Sequence, residues 1–256
     1  MEWTDDGIVL KARKHGETDA IVTLFTRSHG RHLGIVHGGA GRRRRGTHQP
    51  GNLVRARWRA RLSEQLGWWS AELERSFACL SLDDPTSLAA LSSACAVAET
   101  ALPERAPHPR AYAGLLAFLE SLSTGEWPAA YVRWEVQLLA ELGYGLDLSA
   151  CAATGQATDL RYVSPKSGRA VSAAAGEAYA ERLLPLPAFL TQGGSSRDFG
   201  AIRDGLLLTG HFLASHVFTG GAHPEPAARS RFIACLVEKT PTSGINGGHA
   251  EGHYRP

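Results

Sequence analysis

The segment spanning residues 53–61 reads LVRARWRAR and alternates strictly between arginines and other residues, most of them apolar. Because successive side chains of a β-strand point to opposite faces, the pattern predicts a strand with one basic and one apolar face. We expect Trp58, on the apolar face, to lie in a core. Arginines two residues apart on a strand lie ~6.6 Å apart, close to the phosphate repeat of an extended single-stranded polynucleotide. The basic face carries Arg55, Arg57, Arg59 and Arg61.

Four more runs of strand character lie close to this one along the chain. They span residues 7–15, 20–26, 31–37 and 66–77. Five short strands at such close spacing predict a small antiparallel barrel or sandwich. Among five-stranded folds, the OB-fold binds single-stranded nucleic acid through a basic groove and aromatic side chains on which bases stack. We therefore predict an OB-fold barrel over residues 1–79. Trp58 and Trp68 are candidates for base stacking, although the strand alternation favours the core for Trp58.

A run of four arginines, Arg42–Arg45, follows the sequence Gly38-Gly39-Ala40-Gly41. Adjacent guanidinium groups repel one another and cannot be buried unpaired, so they require water or a polyanion such as nucleic acid. A solvated loop, and a sheet face that is basic only for solubility, are the alternatives. We interpret the run as a mobile arm beside the basic strand. The predicted phosphate contacts are Arg42, Arg43, Arg44, Arg45, Arg55, Arg57, Arg59 and Arg61, with Lys11, Arg13 and Lys14 as possible additions.

Charge is distributed unevenly along the chain. Residues 1–75 contain 14 basic and 8 acidic residues, whereas the remainder contains 13 basic and 17 acidic ones. A basic first third indicates that one module contacts a polyanion while the other has a different task. The acidic start does not fit a secretory signal, and no apolar run approaches the ~18–20 residues of a membrane span. We expect a soluble protein of the cytoplasm, with no membrane partner.

The hydrophobic period changes from two to that of a helix beyond residue 80. Helices are predicted over residues 86–101, 110–122, 127–142, 197–218 and 227–237, with apolar stripes that pack in a core. Residues 240–256 are rich in glycine and indicate a disordered tail. The predicted fold class is therefore α+β: the barrel over 1–79, then a helical domain over 80–239 with an irregular insert at about 148–175.

Catalytic motifs are missing from the sequence. It has no phosphate-binding loop ending in Lys-Ser/Thr, no HExxH and no GxSxG. Its histidines are poorly placed for a metal, since His32 and His37 differ in strand parity and His211 and His216 lie five apart on a predicted helix. We predict no catalytic residue, no metal and no cofactor. The chain is expected to act by binding and not as an enzyme.

Several short segments, in their order and spacing, resemble the RecO family of DNA repair proteins. They span residues 6–10, 15–19, 21–26, 29–30, 38–45, 49–51, 142–148 and 163–169. The resemblance implies an N-terminal OB-fold, a central helical domain and an inserted zinc-binding module. It also implies binding of single- and double-stranded DNA, annealing of complementary strands and assistance to RecA at gaps, at the nucleoid. The implied partners are RecR and the acidic C-terminal tail of the single-strand-binding protein, with RecA an indirect one.

The chain departs from this family pattern in the insert. Many relatives carry two CxxC pairs there, but here Thr154 stands where the second cysteine would follow Cys151, and the later pair is replaced by Ser172 and Ala175. One thiolate cannot hold a structural zinc ion, which takes four tetrahedral ligands. We predict a degenerate zinc-finger-like insert that lacks its cysteines and its metal. It would be held by the packing of Leu160, Val163 and Val171.

Two other classes of function fit the residues taken alone. An OB-fold fused to a helical interaction domain also suits an RNA-binding protein in RNA processing. A basic surface could instead contact acidic protein tails, which would make the chain a scaffold that binds no nucleic acid.

Overall fold

The computed structural model describes residues 1–62, 64–194, 196–219 and 224–239. Its N-terminal part is a closed five-stranded barrel in the order β1-β2-β3-β5-β4, in which β4 pairs back onto β1. All neighbouring strands are antiparallel except β3 and β5, which meet in parallel at Ile35 and Trp68. The predicted OB-fold barrel is confirmed. Its strands are β1 (Glu2–His15), β2 (Asp19–Thr26), β3 (Gly30–Val36), β4 (Leu53–Arg59) and β5 (Trp68–Arg75).

The barrel interior follows from the alternation of β4. Val54, Ala56 and Trp58 are buried, while the arginines between them are exposed. Trp58 is 2% exposed and its indole Nε1 donates to the Leu66 carbonyl at 3.1 Å, so its predicted place in the core is confirmed. Strand β2 is buried along nearly its whole length because one face lines the barrel and the other meets the helices.

Helices are the main regular elements of the described residues beyond the barrel. Proline in the first turn of α2, α3 and α4 suits that position, where a backbone N–H would lack a helical partner anyway. Asp84 caps α2, since its Oδ1 accepts from the Thr86 amide at 3.1 Å. The predicted helix over 197–218 is shorter than expected: it begins after Asp198 and gives way to a π-helical turn at Leu213–Val217. The helices are α1 (Arg42–Arg45), α2 (Pro85–Ala101), α3 (Pro109–Ser121), α4 (Trp127–Glu141), α5 (Ala173–Gly176), α6 (Phe199–Phe212) and α7 (Ala227–Lys239).

The barrel has a core of its own, and a second core lies between its outer surface and the helices. Ile8, Leu10 and Phe25, on the outside of the barrel, pack in the same buried cluster as residues of α2 and α3. The segment that follows α2 also runs alongside β3, where the Arg105 amide donates to the Arg31 carbonyl at 2.8 Å. The helices therefore cover the β1–β2 side of the barrel and leave the outer face of β4 and β5 in solvent.

The insert is built on a small sheet of order β7-β6-β8, formed by Leu160–Val163 (β6), Ala170–Ser172 (β7) and Leu184–Pro185 (β8). Its side chains Leu160, Val163 and Val171 are buried, as the sequence predicts. Cys151 is buried beside Ser172, whose amide and hydroxyl donate to the cysteine sulfur at 3.3 and 3.4 Å. One thiol with a neighbouring hydroxyl does not fit a structural zinc ion. Elemental analysis of the purified protein tests this, and stoichiometric zinc would contradict it.

The predicted tail over residues 240–256 lies outside the described part of the chain. Within the described ranges, no helix is both long and apolar enough to cross a membrane.

Candidate nucleic-acid interface

The basic face of β4 is present, but it is shorter than predicted. Arg55, Arg57 and Arg59 project into solvent from the strand. Arg61 is also exposed, yet it lies beyond the end of β4. The amide of Ala60 pairs with the Met1 carbonyl at 3.0 Å, and the chain then leaves the sheet. The ordered stripe therefore has three arginines and not four.

Carboxylates of β1 stand opposite this stripe. In the register of the two strands, Glu2 lies opposite Arg59 and Asp6 opposite Arg55. Asp6 Oδ1 accepts from Arg55 Nη1 at 2.5 Å and raises the pKa of that guanidinium. Glu2 binds Arg57 through a short charge-assisted hydrogen bond and lies 3.8 Å from Arg59 Nε. The stripe is thus largely neutralised by its own sheet, which sequence reasoning missed because it began the first strand at residue 7.

The four-arginine run forms one helical turn on the barrel, a local fold that the sequence pattern did not predict. The turn is anchored from below by Asn52, whose side-chain amide donates to the carbonyls of Gly46 at 2.8 Å and Thr47 at 3.1 Å. Asn52 is fully buried. Arg44 is held at its other side, because its Nη1 donates to the His37 carbonyl at 2.6 Å. α1 is therefore a wall on the barrel surface that is hydrogen-bonded at both of its sides.

One side of α1 borders an open groove of about 420 Å³, which we call the aromatic groove. Trp68 lies on it with 46% of its surface exposed, and the His37 ring stacks on Trp68 with a centroid distance of 6.2 Å. An exposed tryptophan beside arginines is the arrangement on which bases stack while phosphates are neutralised. The groove is lined by Val36, His37, Arg44, Thr47, His48, Arg57, Arg59, Trp68, Trp69, Ser70 and Ala71.

The other side of α1 borders a second groove of about 420 Å³, which we call the cationic groove. Its cations are Arg13 and Lys14 of the β1–β2 hairpin and Arg45 of α1. No carboxylate in the described part of the chain forms an ion pair with any of these three. The groove is lined by Ala12, Arg13, Lys14, Ala20, Gly39, Ala40, Arg45, His48, Gln49 and Pro50.

Two further sequence-predicted cations, Lys11 and Arg42, line neither groove. Lys11 forms an ion pair with Glu99 of α2, with Nζ and Oε1 3.1 Å apart. Arg42 is exposed at the start of α1, and the side chain of Arg43 lies outside what the structure describes. Sequence reasoning missed His37, which Asp19 holds through a contact of 3.0 Å to its Nδ1. The same carboxylate accepts from the Gly38 amide, and these hydrogen bonds lower the pKa of Asp19.

Comparison with protein families assigns both parts of the chain. Residues 1–77 match the family model described as recombination protein O, N terminal, and residues 82–221 match the one described as recombination protein O, C terminal. The chain belongs to the RecO family. The resemblance inferred from short sequence segments is therefore confirmed over both the barrel and the helices.

Curated RecO relatives match over nearly their whole length. A DNA repair protein RecO of Rhodospirillum centenum is 54% identical over 247 residues, which cover 96% of this chain and 98% of the relative. The RecO of Rhodospirillum rubrum is 51% identical, with 92% and 96% covered. The RecO of Afipia carboxidovorans is 52% identical, with 94% and 98% covered. Membership of this family places the chain in recombinational DNA repair.

Proposed function

We propose that this RecO-family chain binds single-stranded DNA in the aromatic groove and promotes the pairing of complementary strands during recombinational repair. The exposed Trp68 supports the proposal most directly, because it lines the aromatic groove together with Arg44 and Arg59. Each base that stacks on an aromatic side chain gains ~1–3 kcal/mol, regardless of its identity. Such binding suits a protein that has to accept any sequence at a gap.

Annealing requires contacts that hold the backbone and leave the base edges free. Guanidinium and ammonium groups at the grooves contact phosphates, which carry no sequence information. The same cations would bind the backbone of double-stranded DNA. We propose that the chain acts by binding, without catalysis, metal or cofactor, since its sequence lacks the motifs of nucleotide hydrolysis and hydrolytic catalysis.

The proposed partners follow from the family. They are RecR, the acidic C-terminal tail of the single-strand-binding protein on the helical part, and RecA as the protein that is finally loaded on DNA. The proposed place of action is the cytoplasm, at the nucleoid.

Fluorescence anisotropy of a labelled oligothymidylate tests the binding site. A variant with Arg59→Glu and Trp68→Ala is expected to lose at least about fivefold in affinity, the smallest effect of one lost base stack. The matched control carries Lys166→Glu and Tyr179→Ala, which alter an exposed cation and an exposed tyrosine of the helical part. Equal affinity of the two variants would contradict the assignment.

Annealing of complementary strands, bare or coated with single-strand-binding protein, tests the activity itself. We expect the wild-type chain to accelerate pairing in both cases. Tighter binding of RNA than of DNA of the same sequence would support a role in RNA processing instead. Absence of salt-dependent binding to either nucleic acid would support a protein scaffold.

A further inference from the structure

The two grooves flank the same helical turn and share one side chain at their base, His48. We propose that each groove holds its own DNA strand, so that a single chain carries two strands at once, one on either side of α1. This inference rests on the proposed function, since it concerns how the same surface brings two strands together.

The grooves differ in the chemistry that they offer. The aromatic groove has an exposed indole and a histidine ring, so it can fix a strand by its bases as well as by its phosphates. The lining of the cationic groove contains no tryptophan, tyrosine or phenylalanine. Its cations can bind a backbone while the bases point away from the protein. A strand held there keeps its base edges free for pairing.

Their charges also differ, in a way that favours a second strand. Arg57 of the aromatic groove already binds Glu2. Arg13, Lys14 and Arg45 of the cationic groove have no such partner among the described carboxylates. Cations that are not neutralised by the protein give the largest gain when phosphates replace their counterions. The cationic groove therefore needs no aromatic contact to retain a strand.

The wall between the grooves is tied to the barrel by several hydrogen bonds. Besides the bonds from Asn52, the Ala40 amide donates to the Thr18 carbonyl at 2.9 Å, which ties the loop before α1 to the β1–β2 turn. A helix with its side chains is ~10–12 Å across. The major groove of duplex DNA is ~12 Å wide. Two backbones separated by α1 would thus stand about as far apart as those that border the major groove of the duplex they form.

His48 supplies an unused polar group at the junction. The residue is 4% exposed, and its Nδ1 has no hydrogen-bond partner in the described part of the chain. A buried ring nitrogen without a partner is costly unless a ligand or water satisfies it. Because this side chain borders both grooves, DNA in either of them can approach it.

Native mass spectrometry of the full chain counts the strands bound to one molecule. With an excess of oligothymidylate of about ten nucleotides, within the range of OB-fold site sizes, we expect one chain to carry two strands. The variant Arg13→Glu with Lys14→Glu is expected to carry one strand and to keep the affinity of the first. Its rate of strand annealing falls with the loss of the second strand.

A control with Lys166→Glu and Arg182→Glu has the same change in net charge on the helical part and is expected to behave as wild type. Equal thermal unfolding of all three proteins shows that the substitutions leave the fold intact. The inference is overturned if the wild type saturates at one strand per chain. It is also overturned if the Arg13/Lys14 variant still binds two strands, or anneals as fast as the control. A wild type that binds no strand at all would instead refute the proposed function.

Discussion

Replacing Glu2 by glutamine is expected to strengthen the binding of single-stranded DNA. Glu2 binds Arg57 and lies 3.8 Å from Arg59, so phosphates have to compete with its carboxylate for both arginines. The side chains are 36%, 60% and 76% exposed, which places these contacts among surface ion pairs, worth ~0.2–1 kcal/mol. Removing this competition corresponds to a gain in affinity of roughly 1.4- to 5-fold.

Anisotropy titrations with oligothymidylate at several salt concentrations measure this gain. Because the two released arginines become available to phosphates, the dependence of affinity on salt is expected to steepen, while the gain itself shrinks at high salt. Glu177→Gln is the matched control, since it removes one exposed carboxylate from the helical part. An affinity of the Glu2 variant no higher than that of the Glu177 variant would refute competition by the β1 carboxylate.

Three further predictions concern stability, each measured by denaturation. His32 is 5% exposed with no hydrogen-bond partner for either ring nitrogen among the described residues, and burial, with the Arg105 charge, lowers its pKa from 6.5 to about 4. Between these two pH values the folded state binds fewer protons than the unfolded state. The contribution of His32 to the free energy of unfolding is therefore fully present above pH 6.5 and falls by ~2–3 kcal/mol on acidification toward pH 4. His32→Phe should weaken this loss, and an unchanged pH profile would contradict it. Glu135→Gln removes the buried carboxylate that pairs with Arg229 and, among the described residues, leaves that guanidinium an ion pair only with the more exposed Glu225. The change is expected to cost at most ~3–5 kcal/mol, which replacing both Glu135 and Arg229 by apolar residues should largely restore. Gly34→Ala places a Cβ 2.6 Å from the indole of Trp69 and is expected to lower the free energy of unfolding by ~1–3 kcal/mol. A denaturation midpoint equal to that of the wild type would show that the indole moves aside without cost.

The local features of the chain could be predicted from its sequence, because they depend on neighbouring residues. The alternation of arginines with other residues was enough to predict which face of β4 is exposed and which is buried, including the burial of Trp58. Helix α2 begins at Pro85, and its start was predicted to within one residue. This was possible because a proline in the first turn and a capping aspartate, Asp84, can be read from the sequence itself.

The parts that the sequence did not predict depend on residues far apart in the chain. The neutralising contact of Glu2 with the arginine stripe joins residues 55 positions apart, and it arises from the register of β1 on β4. The helical form of the four-arginine run depends likewise on Asn52, a residue seven positions beyond its end. The sequence pattern predicted the cations, but not that the fold places them in two grooves on either side of α1.

The segment that runs beside β3 has a practical consequence for fragments of this protein. The family models end at residue 77 and resume at residue 82, which invites an N-terminal fragment cut between them. Such a fragment would lose the backbone bond from Arg105 to Arg31, and would expose the apolar surface of Ile8 and Phe25 that the helices cover. An uncovered strand edge next to exposed apolar surface favours association between copies. A fragment that extends through residue 107 would keep the strand edge covered.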